Sequence, residues 1–252
     1  MLVNYHTHTE RCNHAVGKER EYVECAIQGG LKTLGFSDHA PYIFPNTDYR
    51  SYYRMTEDEI HEYVETVRSL AKEYARDIRI LCGFELEYYP DFHAQEMEFL
   101  KSVNPDYLIL GQHYLNNELD HVVSRTLSGK SLLKAYVSQV LEGLKTGDFL
   151  YLAHPDLAGF QFPDEEIERE YTRLCEGAKA MKIPLEINLL GIREKKHYPN
   201  ARFFEIAAKV GNEIILGIDA HEPKVLCDKN AERIALEMVK ALNLKLITTP
   251  IL

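Results

Sequence analysis

No stretch of this 252-residue chain is apolar for the length of a membrane span, and its opening residues, MLVNYHTHTE, lack the apolar core of a signal peptide. Both absences lead to the expectation of a cytoplasmic protein without membrane contact. The five cysteines (Cys12, Cys25, Cys82, Cys175, Cys227) are odd in number and include no CxxC pair, so they read as reduced thiols. Cations are in deficit: 29 Lys and Arg face 39 Asp and Glu, a formal charge of −10. That argues against long nucleic acids as partners, because backbone phosphates are bound by clustered cations. A small anionic substrate stays compatible, since bound metal ions reverse the local field. The glycine fingerprints of phosphate-cradling loops, GxGxxG and GxxxxGK[ST], are missing. So are repeats, low-complexity tracts and Pro/Gly/Ser-rich linkers, and one domain over residues 1–252 is expected.

What is present is an alternation. Short apolar runs fall at residues 2–5, 33–36, 78–86, 107–110, 149–153, 184–190 and 213–218. Between them lie amphipathic stretches, clearest at 57–74, 132–146, 165–181 and 231–242. In the first of these, Ile60, Tyr63, Val64, Val67 and Leu70 recur at helical spacing with charges between them. Strands alternating with helices imply a parallel α/β sheet, and seven units favour a TIM-like barrel over the alternative, an open doubly wound sheet. Residues 41–54, with Tyr42, Tyr49, Tyr52 and Tyr53, fit neither pattern and read as a long βα loop at the barrel mouth.

The residues that follow the runs carry the chemistry. The first is followed by His6-Thr7-His8 and then His14, and the second ends in Ser37-Asp38-His39. Glu85 lies in the third, His113 follows the fourth, and the fifth runs into His154-Pro155-Asp156. The seventh ends in Asp219-Ala220-His221. In a parallel barrel these ends share one face, where barrel enzymes keep their active sites. Imidazole mixed with carboxylate suits zinc, manganese or iron, whereas calcium and magnesium prefer oxygen alone. The period of an extended chain puts His6 and His8 on one side, able to chelate a single ion. Nine candidates exceed what one catalytic ion takes, so two to three divalent ions are expected, with Glu85 or Asp219 free to bridge. Singly, an HxH or Asp-His pair is weak; it is the repetition at strand ends that carries weight. His61, His93 and His121 read as solvated, capping and loop residues, and His197 as a loop residue within reach of a ligand.

At these positions the sequence resembles the PHP (polymerase and histidinol phosphatase) family, most closely its stand-alone histidinol-phosphatase branch. The matching stretches run in order along nearly the whole chain: His6-Thr7-His8 to Asn13-His14-Ala15, Ser37-Asp38-His39-Ala40-Pro41, Gly83-Phe84-Glu85 and Gly111-Gln112-His113-Tyr114. They continue with Ala153-His154-Pro155-Asp156-Leu157, Glu186-Ile187-Asn188, Gly191-Ile192-Arg193 and Gly217-Ile218-Asp219-Ala220-His221. The resemblance implies a distorted seven-stranded (β/α) barrel with a trinuclear centre. By motif, His6, His8, Glu85 and Asp219 hold a first ion, and Glu85 bridges to a second completed by His113 and His154. His14, His39 and His221 hold the third. Asp38 is read as orienting a neighbouring imidazole.

The implied reaction is hydrolysis of a phosphate monoester, L-histidinol phosphate to L-histidinol and phosphate in histidine biosynthesis, by a hydroxide bridging two ions. Glu85, Asp219 and His221 stand closest to that step. Arg193 is implied to grip the phosphate with its planar fork, with His197 and Arg11 as further contacts. One stretch departs from the branch: Ala158-Gly159-Phe160-Gln161-Phe162 follows His154-Pro155-Asp156-Leu157 without the usual cation. Arg11 and Arg125 are candidates to compensate. Other readings are a phosphoesterase or phosphodiesterase acting on another small metabolite or short nucleotide, a non-catalytic metal-binding module, and metal-assisted C–N hydrolysis in an amidohydrolase-type barrel. The tyrosines of the 41–54 loop leave room for a homo-oligomeric interface as well as for a stacked ring.

Overall fold

The computed structural model describes residues 1–128, 131–159, 161–249 and 251–252. The chain opens with β1 (Val3–Asn4), α1 (Glu19–Gln28), β2 (Thr33–His39), α2 (Ile60–Glu73) and β3 (Arg79–Leu86). Next come α3 (His93–Lys101), β4 (Tyr107–Leu110), α4 (Leu132–Lys145) and α5 (Asp164–Ala180). It ends with β5 (Leu185–Asn188), α6 (Leu189–Arg193), α7 (Ala201–Val210), β6 (Glu213–Gly217), α8 (Lys229–Ala241) and β7 (Lys245–Leu246). Among the described residues no helix is long and apolar enough to cross a membrane.

All the strand pairs are parallel, in a four-stranded sheet β1-β2-β3-β4 and a three-stranded sheet β5-β6-β7. Leu152 bridges Leu110 at the end of β4 and Leu185 of β5, and Thr7 beyond β1 bridges Ala220 beyond β6. The sheet therefore curls, but as four plus three strands and not as the single run of seven expected. The run at 149–153 bridges both neighbours at Leu152, with Leu150 N donating to Leu108 O and Ala153 N to Leu110 O, each at 2.8 Å. Gly147 turns the chain at φ 80° just before it and His154 at φ 27° just after, which leaves little straight length for a ladder. Conversely, β7 is two residues long and no apolar run marks it.

Strand alternation decides where the site forms. Leu34, Phe36, Ile80, Phe84, Leu108, Leu110, Ile187 and Leu216 face the helices in the main core. Residues of the opposite parity, Leu81, Tyr107, Ile109 and Ile215, form a second cluster on the inner side. Continuing that inner parity to the C-terminal strand ends gives His39, Glu85, Glu186, Asn188 and Asp219, which is why polar groups collect there. Close approach needs glycine at two places: a Cβ at Gly111 would meet Glu85, and one at Gly217 would meet Glu186.

The helices follow their sequence signals. Ile60, Tyr63, Val64, Val67 and Leu70 are the buried residues of α2. Asn200 caps α7 through the amide of Arg202, and Asp228 caps α8 through those of Asn230 and Ala231. The 41–54 loop folds over the same end of the sheet, with Tyr42 and Phe44 in the core and Tyr52 76% exposed.

Candidate metal centre

The backbone places the first ligand candidates. His8 N donates to Ala220 O at 2.8 Å and Ala220 N to His6 O at 3.2 Å, so the His-Thr-His and Asp-Ala-His segments are zipped together. Asn4 reinforces this by accepting Ile218 N at 2.8 Å and donating to Thr7 Oγ1 at 2.8 Å. As a result the Nε2 atoms of His6 and His8 lie 3.5 and 3.3 Å from Asp219 Oδ1.

Glu85 stands among five imidazoles. Its Oε2 is 3.5 Å from His6 Nε2, 3.4 Å from His8 Nε2 and 3.1 Å from His39 Nδ1. Its Oε1 is 2.9 Å from His154 Nε2 and 3.8 Å from His113 Nε2. On the other side of His8, His221 Nδ1 is 3.3 Å from Asp219 Oδ1 and His221 Nε2 faces His14 Nε2 at 2.9 Å. The ring of His8 lies 4.3 Å from that of His221 and 4.5 Å from that of His39. All nine ligand candidates thus meet in one place.

The outward ring nitrogens face oxygen atoms. His6 Nδ1 lies 2.8 Å from Glu186 Oε1, His8 Nδ1 3.5 Å from Asp38 Oδ1, and His113 Nδ1 3.5 Å from Glu87 Oε1. His14 Nδ1 meets the Cys12 carbonyl at 2.6 Å. The hydrogen bonds at His6 and His14, and the nearby carboxylates at His8 and His113, turn each Nε2 inward. Asp38 Oδ1 thus faces the ring of His8 and also accepts the amide of its neighbour His39 at 2.9 Å.

Burial disfavours the charged form of every group here, yet their mutual fields dominate at several. Asp219, Glu186 and Glu85 hold His6 well above the ordinary imidazole range despite burial, and the adjacent carboxylates of Asp219 and Asp38 bring His8 up to about 9 against the same burial. Against the same burial, the surrounding imidazoles hold Glu85 and Asp219 well below the carboxylate range. Burial pushes His39 down, and burial with the charge of His8 pushes His221 down to about 3.

These residues fit metal ions. His6 Nε2, His39 Nδ1 and Asp219 Oδ1 are buried without a hydrogen bond. Each such atom costs roughly 1–3 kcal/mol unless something meets it. The paired Nε2 atoms of His14 and His221 likewise face each other with no donor fixed between them, and a cation satisfies all of these lone pairs together.

The other site candidates fall differently. Arg193, at the end of α6, gives Nη2 to the carbonyls of Ile218 at 2.7 Å and Asp219 at 3.2 Å, and its buried Nη1 has no partner. His197 is exposed, its Nε2 3.0 Å from the Leu157 carbonyl. Arg11 is drawn away from its expected place at the phosphate: Glu19 pairs with Nη1 and Glu62 lies 3.4 Å from Nη2. The cation-free stretch at 158–162 includes Phe160, which lies outside the described residues. Gly159 there sits against the backbone of Arg125 and the ring of His197. His61 is exposed on α2, His93 pairs with Asp148 at 2.8 Å, and His121 sits at φ 55° after a short 3-10 turn. Tyr53 packs edge-on to His39 with centroids 5.6 Å apart, and Tyr114 lies parallel to Tyr53 at 5.9 Å.

Sequence inspection gave no role to Glu186, Glu87 and Asn188. Asn188 Nδ2 donates to Glu186 Oε2 at 2.9 Å and to Asp219 Oδ2 at 3.0 Å. The signal for them was period two: Glu87 follows Glu85, and Asn188 follows Glu186, on the same inner face.

The model of the PHP domain family matches residues 4–189 of this chain, about three quarters of its length. The chain belongs to the PHP domain family. Among PHP relatives, a probable histidinol-phosphatase of Deinococcus radiodurans is 30% identical over 234 residues, covering 88% of this chain and 87% of that protein. A probable histidinol-phosphatase of Schizosaccharomyces pombe is 26% identical over 255 aligned positions, covering 88% and 81%. The histidinol phosphate phosphatase of Lactococcus lactis, solved with zinc, L-histidinol and phosphate, superposes with a TM-score of 0.73 at 20% identity, covering 97% of this chain and 95% of that one. That PHP structure shares the fold.

Proposed function

We propose that this chain is a metal-dependent phosphatase that hydrolyses a small phosphate monoester, L-histidinol phosphate first, to the free alcohol and phosphate. The observation that carries this is Glu85, whose two oxygens face separate pairs and trios of imidazoles, as a carboxylate shared between ions would. The substrate follows from the Deinococcus relative, similar over most of both chains. We take residues 1–252 as one domain, its curled sheet as a distorted seven-stranded barrel, and its setting as cytoplasmic.

His6, His8, Glu85 and Asp219 are the proposed ligands of one ion, Glu85, His113 and His154 of a second, and His14, His39 and His221 of a third. Two to three zinc, manganese or iron ions would lower the pKa of water and neutralise phosphate oxygens. The protein's own part is orientation. Glu186, Asp38 and Glu87 face the outer nitrogens of His6, His8 and His113 and so aim the opposite ring nitrogens inward. Arg193 holds its free Nη1 for a phosphate oxygen. Tyr53 and Tyr114 wall the side of the centre near His39 and His113.

Turnover of L-histidinol phosphate beside other small monoesters and a phosphodiester tests the proposal. Clear preference for L-histidinol phosphate is expected. Preference for another monoester would remove the substrate and keep the chemistry, and hydrolysis of the diester alone would point to short nucleotides.

A further inference from the structure

Arg54 is 1% exposed, and a guanidinium at that depth is costly unless each of its donors is met. Its partners lie on the segments that carry the proposed ligands. Nη1 donates at 3.3 Å to the carbonyl of Ala40, the residue after His39. Nη2 pairs with Glu87 Oε1, and Nε donates to Glu118 Oε2 at 2.9 Å. The carbonyl of Arg54 accepts Asn13 Nδ2 at 3.3 Å, just before His14. Its charge also lies over the ring of Tyr53, 4.9 Å from the centroid.

The strongest connection runs through Glu87. Its Oε2 accepts the amides of His113 and Tyr114, both at 2.9 Å, while Oε1 stands 3.5 Å from His113 Nδ1. His113 needs that support. Its side chain is 26% exposed where those of His6 and His8 are at most 1% exposed, and its 3.8 Å to Glu85 is the longest of the five. The backbone of His113 is held by hydrogen bonds to a carboxylate that Arg54 in turn holds.

We propose that Arg54 is a positioning residue for the second ion: it fixes Glu87, which sets the place of His113 through its backbone amide, and it does so while closing the 41–54 loop over the site. This rests on the proposed role of His113 as a ligand. Replacing Arg54 alone leaves Glu87 and Glu118 buried without their cation, so a pair kept only for the fold would lose stability and keep its metal, whereas a pair that holds a ligand would lose metal as well.

The test compares R54M, R54K, H113A and the double variant R54M/H113A, purified in limiting zinc and then in manganese. Metal per chain, far-UV circular dichroism, and kcat and KM for p-nitrophenyl phosphate are measured on each. R54M is expected to melt at a lower temperature and, where folded by circular dichroism, to bind the second ion about 10–100-fold more weakly, the usual effect of losing a group behind a ligand. Its kcat should fall more than its KM changes, and excess metal should restore part of it. In the H113A background, R54M should remove no further metal, because both act on one ion. R54K, which keeps the charge but not the fork, should fall between, and it carries the test if R54M does not fold. Wild-type metal content and kcat in R54K or R54M, or a second full loss of metal in the double variant, would overturn the proposal. Undiminished metal in H113A alone would remove the ligand assignment beneath it, a failure visible before Arg54 is touched.

Discussion

Oε1 of Glu186 lies 2.8 Å from Nδ1 of His6, and Oε2 of the same side chain accepts the amide of His154 at 2.9 Å. One carboxylate on β5 therefore orients the ring of one proposed ligand and the backbone of another across the curled sheet. Glu186→Ala should weaken metal binding about 10–100-fold, measured by competition with a chelator. Unchanged affinity would mean that His6 is held by packing alone.

Metal uptake should release protons. Without metal, His8 titrates at about 9 and His6 well above its ordinary range, both because carboxylates outweigh burial, so both carry a proton at pH 7. Ligation requires neutral imidazole. Zinc titrations by calorimetry, in buffers of different ionisation enthalpy, should show at least about one proton released per chain at pH 7, with affinity rising toward pH 9. Buffer-independent heats would contradict the assignment of these two rings.

Arg193→Ala should reduce kcat/KM by about 10²–10³-fold, the range for losing a donor aimed at developing charge. Arg193→Lys should not restore it, since a single ammonium cannot reach the carbonyls of Ile218 and Asp219 and a phosphate together. A loss of melting temperature with kcat/KM intact would make Arg193 structural.

Glu96 on α3 is 1% exposed with Oε1 unpaired, and burial pushes its carboxyl from 4.5 up to about 8. The folded state therefore keeps a proton that the unfolded chain releases at lower pH. Stability from this group is complete below the unfolded pKa and is lost as pH rises through the folded one. Glu96→Gln should match the wild type near pH 5 and exceed it at pH 9 by on the order of a few kcal/mol. Parallel stability curves across that range would refute the buried, protonated Glu96.

Much of this was legible in the sequence because the chemistry recurs after apolar runs: His6, His39, Glu85, His113, His154 and Asp219 each stand just beyond or within one. The structure gathers them because inner-face parity continues past the strand ends. Less was legible where the deciding partner is remote. Arg11 looked available until Glu19 and Glu62 were found beside it. Glu186 and Glu87 look like ordinary strand acids until folding brings His6 and His113 against them. The 149–153 run reads as a strand by composition and does hydrogen-bond to β4, but turns at Gly147 and His154 keep it too short for a full ladder.

The central claim is that Glu85 joins two ions, and metal content of Glu85→Gln beside the wild type tests it most directly. Both proteins would be purified identically, with turnover of L-histidinol phosphate followed on the same samples. Two to three ions per wild-type chain are expected on the donor count, with Glu85→Gln folded, depleted of at least about two of them and without measurable turnover. A Glu85→Gln protein that holds the wild-type complement of metal would contradict the shared centre, whatever its rate.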